Sequence, residues 1–128
     1  MANMKQMDII KRGVDSWNAW RINNSHILPS LSDAGLHMAY LKKANLSKAD
    51  LSDAGLRLAD LIEANLKGAD LEWANLSEAN LRGANLRQAN LQGANMTGSN
   101  LRGTKLNSCN LSQANISRAD ISLSELNM

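Results

Sequence analysis

The sequence predicts a solenoid, a chain wound round one axis with four short repeats to each turn. Three observations lead there. Leu returns every five residues from Leu31 to Leu126, replaced only by Met96, Ile116 and Ile121. The residue two before each of these is Ala from Ala34 to Ala94, and Ser99, Thr104, Cys109 and Ser124 stand at later positions. Finally, Leu31-Ser32-Asp33-Ala34-Gly35-Leu36 recurs twenty residues on as Leu51-Ser52-Asp53-Ala54-Gly55-Leu56, and Leu81-Arg82-Gly83 recurs at the same offset as Leu101-Arg102-Gly103. A helix turns about 100° per residue, so a five-residue step carries Leu round every side of the cylinder. In a flat strand an odd step puts alternate Leu residues on opposite faces. Only a chain that bends at each repeat keeps them all inside. The twenty-residue echo sets four repeats to a coil, and about five coils at the strand spacing make a tube roughly 24 Å long.

Residues 3–22 read as one helix. Met7, Ile10, Val14 and Trp17 step by three or four residues, Trp20 continues the row, and Lys5, Lys11, Arg12 and Asp15 fall elsewhere. Asn3 followed by Gln6 suggests a capping box, Pro29 marks a stop, and Gly13 weakens the helix by about 1 kcal/mol, which packing must offset. The end of a solenoid exposes apolar core and unpaired backbone, so the expected partner of the helix is the first coil, with Trp17 and Trp20 as its cover. The alternative is a helix that binds a separate partner. Residues 1–29 are accordingly read as capping helix and linker, and 30–128 as the solenoid.

Within each repeat the inward pair is Leu and the small residue two before it. Asn or Asp directly before Leu can hydrogen-bond its own backbone at a bend, and Gly68, Gly83, Gly93, Gly98 and Gly103 supply the positive φ of tight turns. Leu111, Ile116, Ile121 and Leu126 form a last coil with only Asn127 and Met128 after it. Its uncovered edge predicts end-to-end dimerisation, against a polar, fraying coil.

The run Ala-(Asp/Asn)-Leu-x-x resembles the pentapeptide-repeat proteins over residues 31–128. That resemblance implies a right-handed quadrilateral β-helix with the central Leu and the preceding small residue inside. Trp17-Asn18-Ala19-Trp20-Arg21 followed by Pro29-Ser30-Leu31-Ser32 resembles the leader ahead of the repeats in many cyanobacterial members, although Asp is more usual than Ser30 there. The resemblance is nearly silent on function.

Composition excludes several classes. The chain has 128 residues, no Phe and a net charge of +2. Its single cysteine, Cys109, excludes an internal disulfide and suits a reducing cytosol, and no apolar run is long enough for a membrane span, so a cytoplasmic protein is expected. Cys109 replaces an inward Ala and reads as a buried small side chain. His26 and His37 have no zinc-site partners, and the surface Asp residues are repeated turn formers. No enzyme, metal or cofactor is expected.

Function must then lie on outward positions, where residues twenty apart stack. The column centred on Leu31 carries Asp33, Asp50, Asp53, Asp70 and Glu72 with no Lys or Arg. The column centred on Leu46 carries Lys48, Lys67, Arg87 and Lys105 against Glu125, and Arg82 and Arg102 widen the basic side from the neighbouring column. Such faces either steer charged partners or simply solvate the tube. Nucleic acid is disfavoured because no aromatic residues interleave the basic ones. Met38 and Leu58 stack one coil apart with Tyr40 and Ile62 close by, and Trp73 rises from the acidic column. This apolar group is a protein-binding patch or the groove where the helix folds back. The leading expectation is a rigid, noncatalytic scaffold that binds another protein through Met38, Tyr40, Leu58, Ile62 and Trp73. The alternative, carried by the resemblance, is a DNA mimic acting on a type II topoisomerase. Against it, the charges of residues 31–128 cancel at ten acidic and ten basic.

Overall fold

The computed structural model describes residues 1–126, and Asn127 and Met128 lie outside the described residues. Two short helices lead into a long β-helical body. In the body, residues bridge in parallel to those twenty further on, and the bridges form four columns. The first joins Ser30, Asp50, Asp70, Asn90 and Asn110; the second Gly35, Gly55, Asn75, Asn95 and Asn115. Tyr40, Asp60, Asn80, Asn100 and Asp120 make the third, and Asn45, Asn65, Asn85, Lys105 and Glu125 the fourth. Each strand shrinks to one bridging residue because a turn follows every Leu.

The turn explains the five-residue motif. Ala34 N–H donates to Leu31 O at 3.1 Å, and the same closure recurs along the chain. The Asn or Asp before Leu braces the turn by accepting the N–H two residues on, as Asp50 Oδ1 does from Ser52 at 3.0 Å and Asn75 Oδ1 from Ser77 at 3.0 Å. The third turn residue has positive φ at every repeat from Asp33 to Leu123, whether or not it is Gly. The expectation confined this conformation to glycines. Ladder bonds on both sides and the side-chain brace overdetermine the bend, holding non-glycine residues there at a cost on the order of 1 kcal/mol each.

Leu and Ala fill the interior, with Leu31 to Leu106 and Ala34 to Ala94 buried apart from half-buried Ala39. Where the small position becomes polar, its donor finds a carbonyl. Ser99 Oγ donates to Met96 O at 2.8 Å and Thr104 Oγ1 to Leu81 O at 2.7 Å. Cys109 Sγ donates to Leu86 O at 3.0 Å, and burial pushes the thiol pKa up to about 11, as a packing role requires. In the last coil Ile116, Ile121 and Leu126 remain 42–47% exposed.

The leader differs from expectation. It is two helices, α1 (Met4–Lys11) and α2 (Val14–Asn23), broken at Gly13, whose φ of 126° no helix contains. Gly13 is therefore the hinge and N-cap of α2, not a weak point inside one helix. The break lets both halves reach the first coil: Met7, Ile10 and Trp17 are buried, and Trp20 packs on Trp17 with ring centroids 5.1 Å apart. Asn3 Oδ1 caps α1 through Gln6 N–H at 3.1 Å, but the box does not close. Gln6 Oε1 instead accepts from Ser30 N–H at 2.6 Å, while Asn3 N–H donates to Ser30 O at 2.8 Å.

Candidate protein-interaction surface

Polar residues of α2 attach the cap. Asn45 N–H donates to Asn18 Oδ1 at 2.8 Å, and Asn45 O accepts from Trp17 Nε1 at 2.8 Å and Arg21 Nη1 at 2.7 Å. Arg21 Nη2 also reaches Ser47 O at 2.9 Å, and burial lowers the Arg21 pKa. Sequence reasoning placed Asn18 and Arg21 only in the leader motif and missed their pairing role. Their i, i+3 spacing beside buried Trp17 was the available signal.

The helices leave the apolar group uncovered. Met38 is 58%, Leu58 38%, Trp73 53% and Tyr40 85% exposed, while Ile62 is half-buried. The columns sort these residues. Met38 and Leu58 stack at the turn after the second column, and Trp73 occupies the turn before it, between Asn75 of that column and the acidic first column. Between them runs a strip with no side chain at Gly35 and Gly55. Tyr40 belongs to the third column and Ile62 to the turn after it, and both stand apart from Trp73.

All three flanking residues occupy the positive-φ position: Met38 at 59°, Leu58 at 62° and Trp73 at 59°. Bulky apolar residues are poorly suited to that conformation. Leu123, at 58° and also exposed, is a fourth that sequence reasoning passed over. Trp73 has a bed prepared for it. A Cβ at Gly93 would fall within 2.6 Å of Trp73 Cδ2 and closer still to Cε3 and Cζ3, so the ring covers Gly93 with its face, not its edge.

The charged columns are partly neutralised. Asp50 and Asp70 accept turn N–H groups and the amino terminus lies 3.5 Å from Asp33, whereas Asp50, Asp53, Asp70 and Glu72 have no cation within ion-pair distance among the described residues. On the basic side Arg87 meets Glu125 at 3.3 Å, whereas Lys67, Arg82, Arg102 and Lys105 have no carboxylate within ion-pair distance among the described residues. Arg57 and Glu78, 3.1 Å apart, lie beside the Leu58 turn. Among the described residues no group of three His, Cys, Asp or Glu side chains converges on a metal-sized site, and no helix is long and apolar enough to cross a membrane.

The sequence profile described as Pentapeptide repeats matches eight copies over residues 30–68, 39–77, 55–93, 64–103 and 94–127. The chain belongs to the pentapeptide-repeat family. Among solved structures, Rfr23 from the cyanobacterium Cyanothece 51142 is 45% identical, with a TM-score of 0.65 over 69% of this chain and 58% of that one. A pentapeptide repeat protein from the Arabidopsis thaliana thylakoid lumen is 29% identical over 75% of this chain and 63% of its own, at a TM-score of 0.59. One from Nostoc PCC 7120 is 38% identical over 63% and 74%, at 0.58. This pentapeptide-repeat protein thus spans 58% and 63% of the length of the first two. No curated protein matches it.

Proposed function

We propose that this pentapeptide-repeat protein is a noncatalytic cytoplasmic scaffold that binds a protein partner across the second column, with Met38, Leu58 and Trp73 as anchors. We take the body, residues 30–128, as a right-handed four-sided β-helix of about five coils, and residues 1–29 as its cap and linker. The observation that carries the reading is the placement of three bulky apolar residues, exposed, on backbone that favours small or polar ones. Positive φ recurs at every repeat, so what sets these three apart is exposed apolar surface, and exposed apolar residues grouped on one face mark interaction sites. A preformed strip floored by Gly35 and Gly55 needs little ordering on association. Tyr40 and Ile62 extend the contact onto the third column and the turn after it. Asp33, Asp50, Asp53, Asp70 and Glu72 on the first column, and Lys67, Arg82, Arg87, Arg102 and Lys105 on the fourth column and the turn before it, orient the approach.

The DNA-mimic alternative asks for a long acidic surface, and the braced Asp50 and Asp70 beside a basic column suit it poorly. Self-association through the last coil is a second contact of the same scaffold, favoured by its exposed Ile116, Ile121 and Leu126. Sedimentation of the native chain and of Ile121→Glu tests it: a dimer lost in the variant is expected, and a native monomer at 100 µM refutes it.

Affinity capture tests the main proposal. The native chain and a folded triple variant, Met38→Lys, Leu58→Lys and Trp73→Glu, are compared in a lysate of the source organism. A protein held by the first and lost by the second is expected. Equal capture by both removes the second column from the account.

A further inference from the structure

The cap closes only half of the free edge of the first coil. Inside the tube a bridging residue uses both backbone groups toward the coil before it, as Gly55 does by donating to Ala34 O at 2.8 Å and accepting from Leu36 N–H at 2.8 Å. In the first coil, Ser30 and Asn45 have both groups taken by the leader. Gly35 and Tyr40 have neither. Among the described residues no donor or acceptor meets their N–H or C=O groups.

What surrounds these four groups is a site and not merely an edge. A cleft of about 330 Å³ lies against them, its apolar lining made by Ile10 of α1 and by Leu36, Ala39 and Leu41 of the first coil, with Lys11 and His37 at its margin. An adjoining opening past the Gly13 hinge brings in Arg12, Lys42 and Tyr40, with Asp15 as its one carboxylate. Three permanent cations therefore face one anion. Gly35 leaves the approach clear, since a Cβ there would meet nothing within 4 Å. Tyr40 replaces the Asp or Asn found at the other positions of its column and stands exposed beside the cleft.

We infer that this half-edge takes an extended segment of a partner protein in which apolar and acidic residues alternate. Its backbone continues the parallel ladder at Gly35 and passes beside Tyr40, an apolar side chain enters the cleft over Ile10 and Leu36, and its carboxylates face Lys11, Arg12 and Lys42. Strand addition supplies main-chain bonds, and the side chains on alternate sides give the selectivity. A basic segment would meet the same backbone but be repelled at the rim. The site shares Tyr40 with the proposed contact, but Met38, Leu58 and Trp73 are not among the residues that line it.

The test uses the full chain labelled with nitrogen-15 and two blocked five-residue peptides, Glu-Val-Glu-Val-Glu and Lys-Val-Lys-Val-Lys. The first is expected to shift the Gly35 and Tyr40 amide signals saturably, with Ser30 and Asn45 nearly still, and the second to shift none of them. Gly35→Pro removes an N–H that pairs with nothing in the fold, so the variant keeps the remote amide spectrum and binds at least tenfold more weakly. Should that variant misfold, the exposed pair Lys11→Glu and Lys42→Glu serves instead, with the same tenfold loss expected. Absence of shifts at Gly35 and Tyr40, equal response to the basic peptide, or undiminished binding by a folded variant overturns the inference.

Discussion

Replacing Gly93 by Ala separates the cost of a turn from the cost of displacing Trp73. Gly93 and Gly103 share a φ of 68°, but a Cβ at Gly103 would have Gly83 N at 3.9 Å as its nearest neighbour, whereas at Gly93 it would run into the Trp73 ring. Gly103→Ala therefore loses about 1 kcal/mol, the left-handed backbone strain alone. Gly93→Ala adds the lifting of the ring. Trp73 is 53% exposed. Roughly 100 Å² of the ring is thus covered, corresponding to about 2.5 kcal/mol at 25 cal/mol per Å² if all contact were lost. Partial retention leaves an excess of about 1–2 kcal/mol, for a total near 2–3 kcal/mol. Urea unfolding followed by circular dichroism reads both variants, alone and in a Trp73→Ala background. In that background the two glycine substitutions should cost the same. Equal losses with Trp73 present, or an excess at Gly93 that survives its removal, would refute the ring-on-glycine packing.

The other predictions concern the cap, the core and the thiol. Arg21→Lys keeps the charge but cannot span Asn45 O and Ser47 O, so urea unfolding should show a loss of about 1.5–3 kcal/mol, close to that of Arg21→Ala. A lysine variant as stable as the native chain would contradict the forked pairing. Leu71→Ala, in the middle of the filled tube, should cost about 2–5 kcal/mol, and Leu111→Ala, half-buried in the last coil, less than half as much in the same assay. With its pKa near 11 against an ordinary value of 9.0, Cys109 keeps its proton in the fold to higher pH than in the unfolded chain. Its contribution to stability is complete below pH 9 and is lost as pH rises through 11. Iodoacetamide should therefore label the folded chain slowly at pH 8 and faster as pH approaches 11, and rapid labelling at pH 8 would contradict the burial.

The architecture was legible because a five-residue Leu spacing has no place in a helix or a flat strand, and the twenty-residue echoes set the coil. The inward Ala and the Asx-braced turns followed from size and hydrogen-bonding capacity alone. Three features were not legible. The helix break at Gly13 was hidden because Met7, Ile10, Val14 and Trp17 keep helical spacing across it. Positive φ at Met38, Leu58 and Trp73 leaves no trace in residue identity, since the ladder and not the side chain imposes it. The half-closed edge depends on how far Gln6, Asn18 and Arg21 reach, which spacing does not specify. Gly35 and Gly55 were visible as an echo, yet their meaning as a bare strip between exposed apolar residues required the columns.

The proposal that Met38, Leu58 and Trp73 together form the partner surface meets its most direct test in hydroxyl-radical footprinting of the chain alone and in its captured complex. Methionine and tryptophan side chains are readily oxidised, so the anchors report on themselves. The account predicts that oxidation of Met38, Leu58 and Trp73 falls together on binding while exposed Met4 and Leu123 are modified as before. Unchanged oxidation at those three, with protection of Leu123 and Ile121 or of the leader instead, would contradict it.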